Sequence, residues 1–258
     1  MLNIKKLQIL TFVTIISLIL TGCKPTTISD LDQIKKKDKI IFGVKGDTRP
    51  FGFLENRELY GIDIDIARYI TKSILGDEKK AEYKIVDSAN RLLILGSGEV
   101  DMVIASMSIT PQRQMIIDFS TPYYLAGQTV LVRKESNIRS LTDLKNKRIV
   151  VVFGSTAEKN IRLVAPGAAI VGTKNYTTAF EMLKSKQVDG MASDDTILSS
   201  FLNNGEYRLL PKRYTVEPYA IGFRKSEESE SLRNKVNNIL DEMKQNGELK
   251  RIEKKWIK

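Results

Sequence analysis

From residue 39 onward, short apolar runs alternate with stretches whose apolar positions recur every three or four residues. Residues 39–45 (KIIFGVK), 83–86, 101–105 (DMVIA), 128–133 (QTVLVR), 148–153 (RIVVVF), 190–192 and 219–223 (YAIGF) are compact and mostly rich in branched or aromatic side chains, which predicts buried strands. Ile62, Ile66, Tyr69, Ile70 and Ile74 fall on one helical face, and Gly76 is a natural stop. Helices are also predicted over 90–95, after the Thr110-Pro111 start, from Ser140, after Gly154-Ser155-Thr156, and over 177–186, 195–203, 228–245 and 247–256. Strands alternating with helices predict an α/β protein with parallel sheets. Two similar rounds, echoed by Val100-Asp101 and Val188-Asp189 before short strands, predict two lobes.

The start of the chain has a different pattern. Lys5 and Lys6 precede an apolar run from Ile9 to Leu20, interrupted by Thr11, Thr14 and Ser17. This run is shorter than the ~20 residues a membrane-spanning helix needs and matches a secretory signal peptide over residues 1–22. Leu20-Thr21-Gly22-Cys23 resembles the bacterial lipobox, which implies diacylglycerol on Cys23 and a mature protein anchored by lipid to the outside of the cell membrane. Polar, lysine-rich residues 23–38 are expected to form a tether.

Composition narrows the chemistry. The 258 residues contain no histidine and one cysteine. Histidine-based acid–base catalysis, intramolecular disulfides and Cys-cluster metal sites are therefore excluded, and no cofactor is expected. The net charge of +10 falls to +8 once Lys5 and Lys6 leave with the signal peptide. This charge suits a surface over anionic lipid or wall polymer, or an ordinary solvated surface. The lysines are scattered rather than interleaved with aromatics, so no nucleic-acid partner is expected.

Ligands of α/β sheets bind beyond the carboxyl ends of strands, which directs attention to the loops after Lys45, Ala105, Phe153 and Ala192. The first-turn position of Arg113, behind Ser106-Met107-Ser108-Ile109-Thr110-Pro111, suits either a bidentate grip on a carboxylate or an exposed arginine. Gly154-Ser155-Thr156-Ala157 is either an anion cradle or an ordinary capped helix start. Asp194 and Asp195 are either both helix caps or, as expected here, split, with Asp194 facing the cleft and Asp195 capping the following helix. A carboxylate clamp facing an ammonium acceptor describes an α-amino-acid site.

These residues resemble the polar amino-acid-binding proteins of ABC importers, solute-binding family 3. The matching motifs are Gly61–Asp65 (GIDID), Ser108–Arg113 (SITPQR), Asp118–Tyr124 (DFSTPYY), Gly154-Ser155-Thr156, Val188-Asp189 and Lys255-Trp256, in order over residues 39–258. The resemblance implies a two-lobed periplasmic-binding-protein type II fold with a two-strand hinge. Lobe 1 would span 39–131 plus 217–258 and lobe 2 132–216, with crossings near 130–133 and 216–219. It also implies a monomeric binding protein rather than an enzyme, working with permease subunits and a separate ATPase. Arg113 would hold the ligand α-carboxylate with Ser108 and the Ser155, Thr156 and Ala157 turn. Asp194, helped by the Ser106 carbonyl, would take the α-ammonium. Whether Phe51 reaches the ligand is left open.

Lys45 and Arg91 stand where glutamine binders of this family tend to have an acid and an aromatic. Two cations there would read a side-chain carboxylate, so the expected ligand is L-glutamate or L-aspartate. The alternative is that Lys45 and Arg91 are surface residues or pair with Asp47 or Asp87. Glutamine or another polar amino acid, and a surface sensor or adhesin, are the other functional readings.

Overall fold

The structure, a computed structural model, describes residues 28–202 and 205–257. The signal peptide and Cys23 lie outside the described residues. Where a tether was expected through residue 38, the chain forms helix α1 (Asp30–Lys37). Ser29 caps it by accepting from the Asp32 N–H, with Asp30 and Asp32 in the first turn and Lys35, Lys36 and Lys37 in the last. Fully buried Ile34 fixes it to the core, and Asp30 accepts from Arg224 at 2.8 Å. Ile34 and Leu31, with the ion pairs Asp30–Arg224 and Lys37–Asp101, dock a segment that reads as polar.

The first sheet runs in the order β5 (Ala81–Ile85), β1 (Ile40–Val44), β6 (Met102–Val103), β15 (Gly222–Arg224), β7 (Ile117–Phe119). β5, β1 and β6 are parallel; β15 is antiparallel to both its neighbours. Helices α2 (Ile62–Leu75), α3 (Arg91–Gly96), α8 (Glu230–Gln245) and α9 (Glu248–Trp256) pack on or around it. The apolar face of α2 contributes Ile62, Ile66 and Ile70 to the core, and Gly76 ends the helix at φ 79°. The second sheet runs β11 (Ala169–Thr173), β10 (Arg148–Val152), β12 (Gly190–Asp194), β9 (Gln128–Arg133), β13 (Tyr207–Leu209). It is covered by α5 (Thr156–Val164), α6 (Tyr176–Lys184) and α7 (Asp195–Ser199).

An antiparallel ribbon of β8 (Tyr124–Ala126) and β14 (Glu217–Tyr219) connects the two sheets. The structure departs from the sequence expectations in several places. Both sheets are mixed rather than parallel, because strands entering from the ribbon run against their neighbours. The run 219–223 is two strands, since the chain leaves β14 for the first sheet at Ala220. β9 pairs with β12 from Gln128 to Val132, so residues 128–131 sit in the second sheet and the crossing falls at Gly127. A small meander of β2 (Asp47–Thr48), β3 (Gly52–Glu55) and β4 (Glu58–Tyr60) replaces an expected loop. No described helix is long and apolar enough to cross a membrane.

Candidate functional site

The loops beyond β1 and β6 in one lobe meet those beyond β10 and β12 in the other. Arg113 lies in the short helix α4 (Pro111–Gln114), which Thr110 caps by accepting from the Arg113 N–H at 3.2 Å. Its guanidinium donates from Nη1 to the Ser108 carbonyl at 2.7 Å and from Nη2 to the Gly154 carbonyl at 3.0 Å. The second bond crosses the cleft. Burial, reinforced by the neighbouring Arg91 charge, pushes Arg113 down to about 9.

Ser106 adopts a left-handed backbone, φ 43°, uncommon for a residue with a side chain. Its N–H donates to Asp63 Oδ2 at 2.9 Å, and the Tyr123 hydroxyl donates to Asp63 Oδ1 at 2.7 Å. Asp63 is wholly buried at the start of α2, and burial pushes its carboxyl up to about 6 against those two hydrogen bonds. The resemblance motifs GIDID and DFSTPYY thus meet beneath the Ser106 loop.

In the second lobe, α5 points its N-terminus at the cleft, where first-turn N–H groups lack intrahelical acceptors. Thr156 Oγ1 donates to Glu217 at 2.8 Å and accepts from Gln128 at 2.8 Å, while Asn160 reaches both Gln128 and Glu217. This network ties the helix to the ribbon. Ser155 differs from its expected role. Its hydroxyl and its N–H both donate to the Val152 carbonyl, at 2.6 and 3.2 Å, so neither is left for an anion. Ala157 is buried.

Asp194 ends β12 and precedes α7 without capping it. One carboxylate oxygen accepts from the Tyr219 hydroxyl; the other is buried with no partner among the described residues. Burial raises this carboxyl to about 6. Asp195, expected as a cap, instead pairs with Arg213 and accepts from the Gly127 N–H.

Lys45 and Arg91 are both buried, at 1% and 3% exposure, which rules out surface roles. Lys45 Nζ lies 3.2 Å from Asp47, and burial lowers its pKa. Asp47 also accepts from the Tyr176 N–H at 2.9 Å, a second bond across the cleft. Arg91 donates to the Ala105 carbonyl at 2.6 Å and leaves Nε unpartnered among the described residues, and burial lowers its pKa too. Phe51 is fully buried, edge-on to Tyr124 and Tyr219 at 5.0 Å each. Sequence reasoning missed Asp63, Gln128, Tyr176, Glu217 and Tyr219. For Asp63, the buried face of the GIDID helix start was an available signal.

Two sheets joined by a two-strand ribbon, with charged groups from both lobes enclosed between them, define a two-lobed binding protein. Residues 40–258 match the bacterial extracellular solute-binding proteins, family 3, and the chain belongs to that family. It is 44% identical over 232 residues to the ABC transporter glutamine-binding protein GlnH of Bacillus subtilis (strain 168), covering 88% of this chain and 84% of that protein. It is 42% identical over 209 residues to the glutamine-binding protein of Geobacillus stearothermophilus, covering 78% and 80%. A solved ancestral arginine-binding protein bound to glutamine superimposes with a TM-score of 0.79 at 37% identity, covering 85% of this chain and 97% of that one. The protein is therefore an amino-acid-binding component of the ABC type from an extracytoplasmic family, with the type II fold, and not an enzyme.

Proposed function

We propose that the chain captures L-glutamine between its lobes and delivers it to the permease of an ABC importer, whose ATPase is a separate subunit. The absence of a surplus cation among the charged groups of the cleft carries this reading. Lys45, Arg91 and Arg113 face Asp47, Asp63, Asp194 and Glu217. A zwitterion with a neutral side chain adds no net charge to those seven groups. Glutamate or aspartate would add a second carboxylate to a site with no surplus cation, and a buried unpaired charge costs several kcal/mol. The expectation of an acidic ligand treated Lys45 and Arg91 as free cations. The Lys45–Asp47 pair removes one of them. Similarity to two glutamine-binding relatives supports the amide further.

In this reading Arg113, Ser108 and the first N–H groups of α5 at Thr156 and Ala157 hold the α-carboxylate. The free oxygen of Asp194 and the Ser106 carbonyl take the α-ammonium, and Arg91 Nε serves the side-chain amide oxygen. Ligand stabilises the closed form because it contacts both lobes. Residues 1–22 serve as the signal peptide, and lipid on Cys23 holds the protein at the outer face of the membrane. Deleting the gene should abolish high-affinity uptake of labelled L-glutamine, and a Cys23→Ser variant should be released into the medium. Unchanged uptake would remove the transport assignment.

A further inference from the structure

We infer that Tyr219 is a positioning residue that sets the spacing between the carboxylate-binding and ammonium-binding halves of the cleft. The inference rests on the assignment of Asp194 to the α-ammonium. Tyr219 touches both halves. Its backbone lies against Ser108 in an isolated antiparallel bridge, closed by Ile109 N–H to the Pro218 carbonyl at 2.9 Å and Ala220 N–H to the Met107 carbonyl at 3.0 Å. Its hydroxyl donates to Asp194 in the other lobe.

The ring between those two ends cannot swing. It is fully buried, with Phe51 edge-on at 5.0 Å, Tyr124 at 5.8 Å and Tyr123 at 6.4 Å. The Tyr219 carbonyl is also fixed, accepting from the Tyr123 N–H at 2.9 Å. A strand that registers the Ser108 loop therefore carries a rigid arm ending on the Asp194 carboxylate. By occupying one oxygen of Asp194, Tyr219 leaves the other as the acceptor for a ligand ammonium and favours the ionised form that such a ligand needs.

The remaining charged and titratable groups around Asp194 are Glu217 from β14, Asp195 from α7, Arg113 from α4, Arg91 from α3, Tyr176 from α6 and Tyr214 from the segment before the ribbon. None of these changes in Tyr219→Phe, which keeps the ring and deletes only the hydroxyl. Burial already holds Asp194 up at about 6, so loss of the donor moves it higher.

The test is calorimetric affinity for L-glutamine, or for L-glutamate should that bind more tightly, from about pH 8.5 down to about 5.5. The proteins are wild type, Tyr219→Phe and Asp194→Asn, each checked for folding by thermal melting. Wild type should lose affinity as the pH falls through about 6. Tyr219→Phe should lose it at a higher pH, so the two diverge from near equality to a several-fold gap as the pH falls. Asp194→Asn should be at least ~100-fold weaker and insensitive to pH over that window. A constant ratio between wild type and Tyr219→Phe at every pH would make the tyrosine a packing element only and overturn the inference. Wild-type affinity in Asp194→Asn would instead overturn the ammonium assignment beneath it.

Discussion

Arg113 and Gly154 meet across the cleft, with the arginine Nη2 donating to the glycine carbonyl at 3.0 Å. Gly154 is there for two reasons. Its φ is 74°, and a Cβ at that position would lie 2.5 Å from the Ser88 carbonyl oxygen and 2.6 Å from the Ala89 Cα of the first lobe. The left-handed backbone costs a non-glycine residue about 1–2 kcal/mol, but the backbone collision exists only while the lobes are closed. Gly154→Ala should therefore leave a folded, open protein with ligand affinity reduced at least ~10-fold. Small-angle scattering should show no compaction on adding ligand. Normal compaction with normal affinity would mean the lobes do not close through this contact.

Arg113 has two of its donors committed to carbonyls and a pKa pushed down to about 9 by burial. Lysine keeps a charge at this position but not the planar fork that aligns two parallel bonds on a carboxylate. Arg113→Lys should weaken every α-amino acid by roughly 100-fold, whatever its side chain. Calorimetry with glutamine, glutamate and arginine checks this; selective loss of one ligand would move Arg113 from the shared clamp to the side-chain pocket.

Asp47 neutralises Lys45 and accepts from the Tyr176 N–H of the other lobe. Asp47→Asn leaves a buried ammonium without its counter-charge and should cost roughly 3 kcal/mol in urea denaturation. Replacing both partners, Lys45→Met with Asp47→Leu, should recover most of that loss. A neutral Asp47→Asn would show that Lys45 is already uncharged in the folded protein.

The two raised carboxyls make unliganded stability depend on pH in an unusual direction. Asp63 and Asp194 move from 3.8 to about 6 on folding. The native state therefore binds more protons between those values, and each group's favourable contribution, complete below 3.8, is lost as the pH rises through about 6. Asp194→Asn removes that penalty at one site. The unliganded variant should gain roughly 1–3 kcal/mol at pH 7.5, with the gain shrinking toward pH 4. Denaturant titrations at both pH values would show it, and equal stability of the two proteins at pH 7.5 would contradict it.

The elements with clear periodicity were legible in the sequence. The Ile62, Ile66 and Ile70 stripe, the Gly76 stop and the Thr110-Pro111 start appear where the residues place them. What escaped was set by pairing partners distant in the chain. Nothing local in YAIGF announces that Tyr219 joins Tyr124 while Gly222 joins Val103 and Phe119. Polar residues 30–37 form a docked helix because Arg224 and Ser229, far along the chain, receive Asp30.

The candidate site follows the same rule. Arg113, Ser106, Ser108, Thr156 and Asp194 stood in loops at strand ends and could be named from that position. The partners that fix their orientation, Asp63 beneath Ser106 and Tyr219 beside Asp194, are contributed by elements that only the fold brings near. The Lys45–Asp47 pair, which the sequence offered only as the alternative to a free cation, forms because Asp47, two residues on, turns back along β2 to meet Lys45.

Calorimetric titration of the ligand-free protein with L-glutamine, L-glutamate and L-aspartate at pH 7.5 decides between an amide and a side-chain carboxylate as the group the cleft reads. A cleft with no surplus cation should bind glutamine with an affinity near micromolar, about −8 kcal/mol, and both acids at least ~10-fold more weakly. Tight binding of glutamate or aspartate with no heat from glutamine would contradict the account and make Arg91 the reader of a side-chain carboxylate.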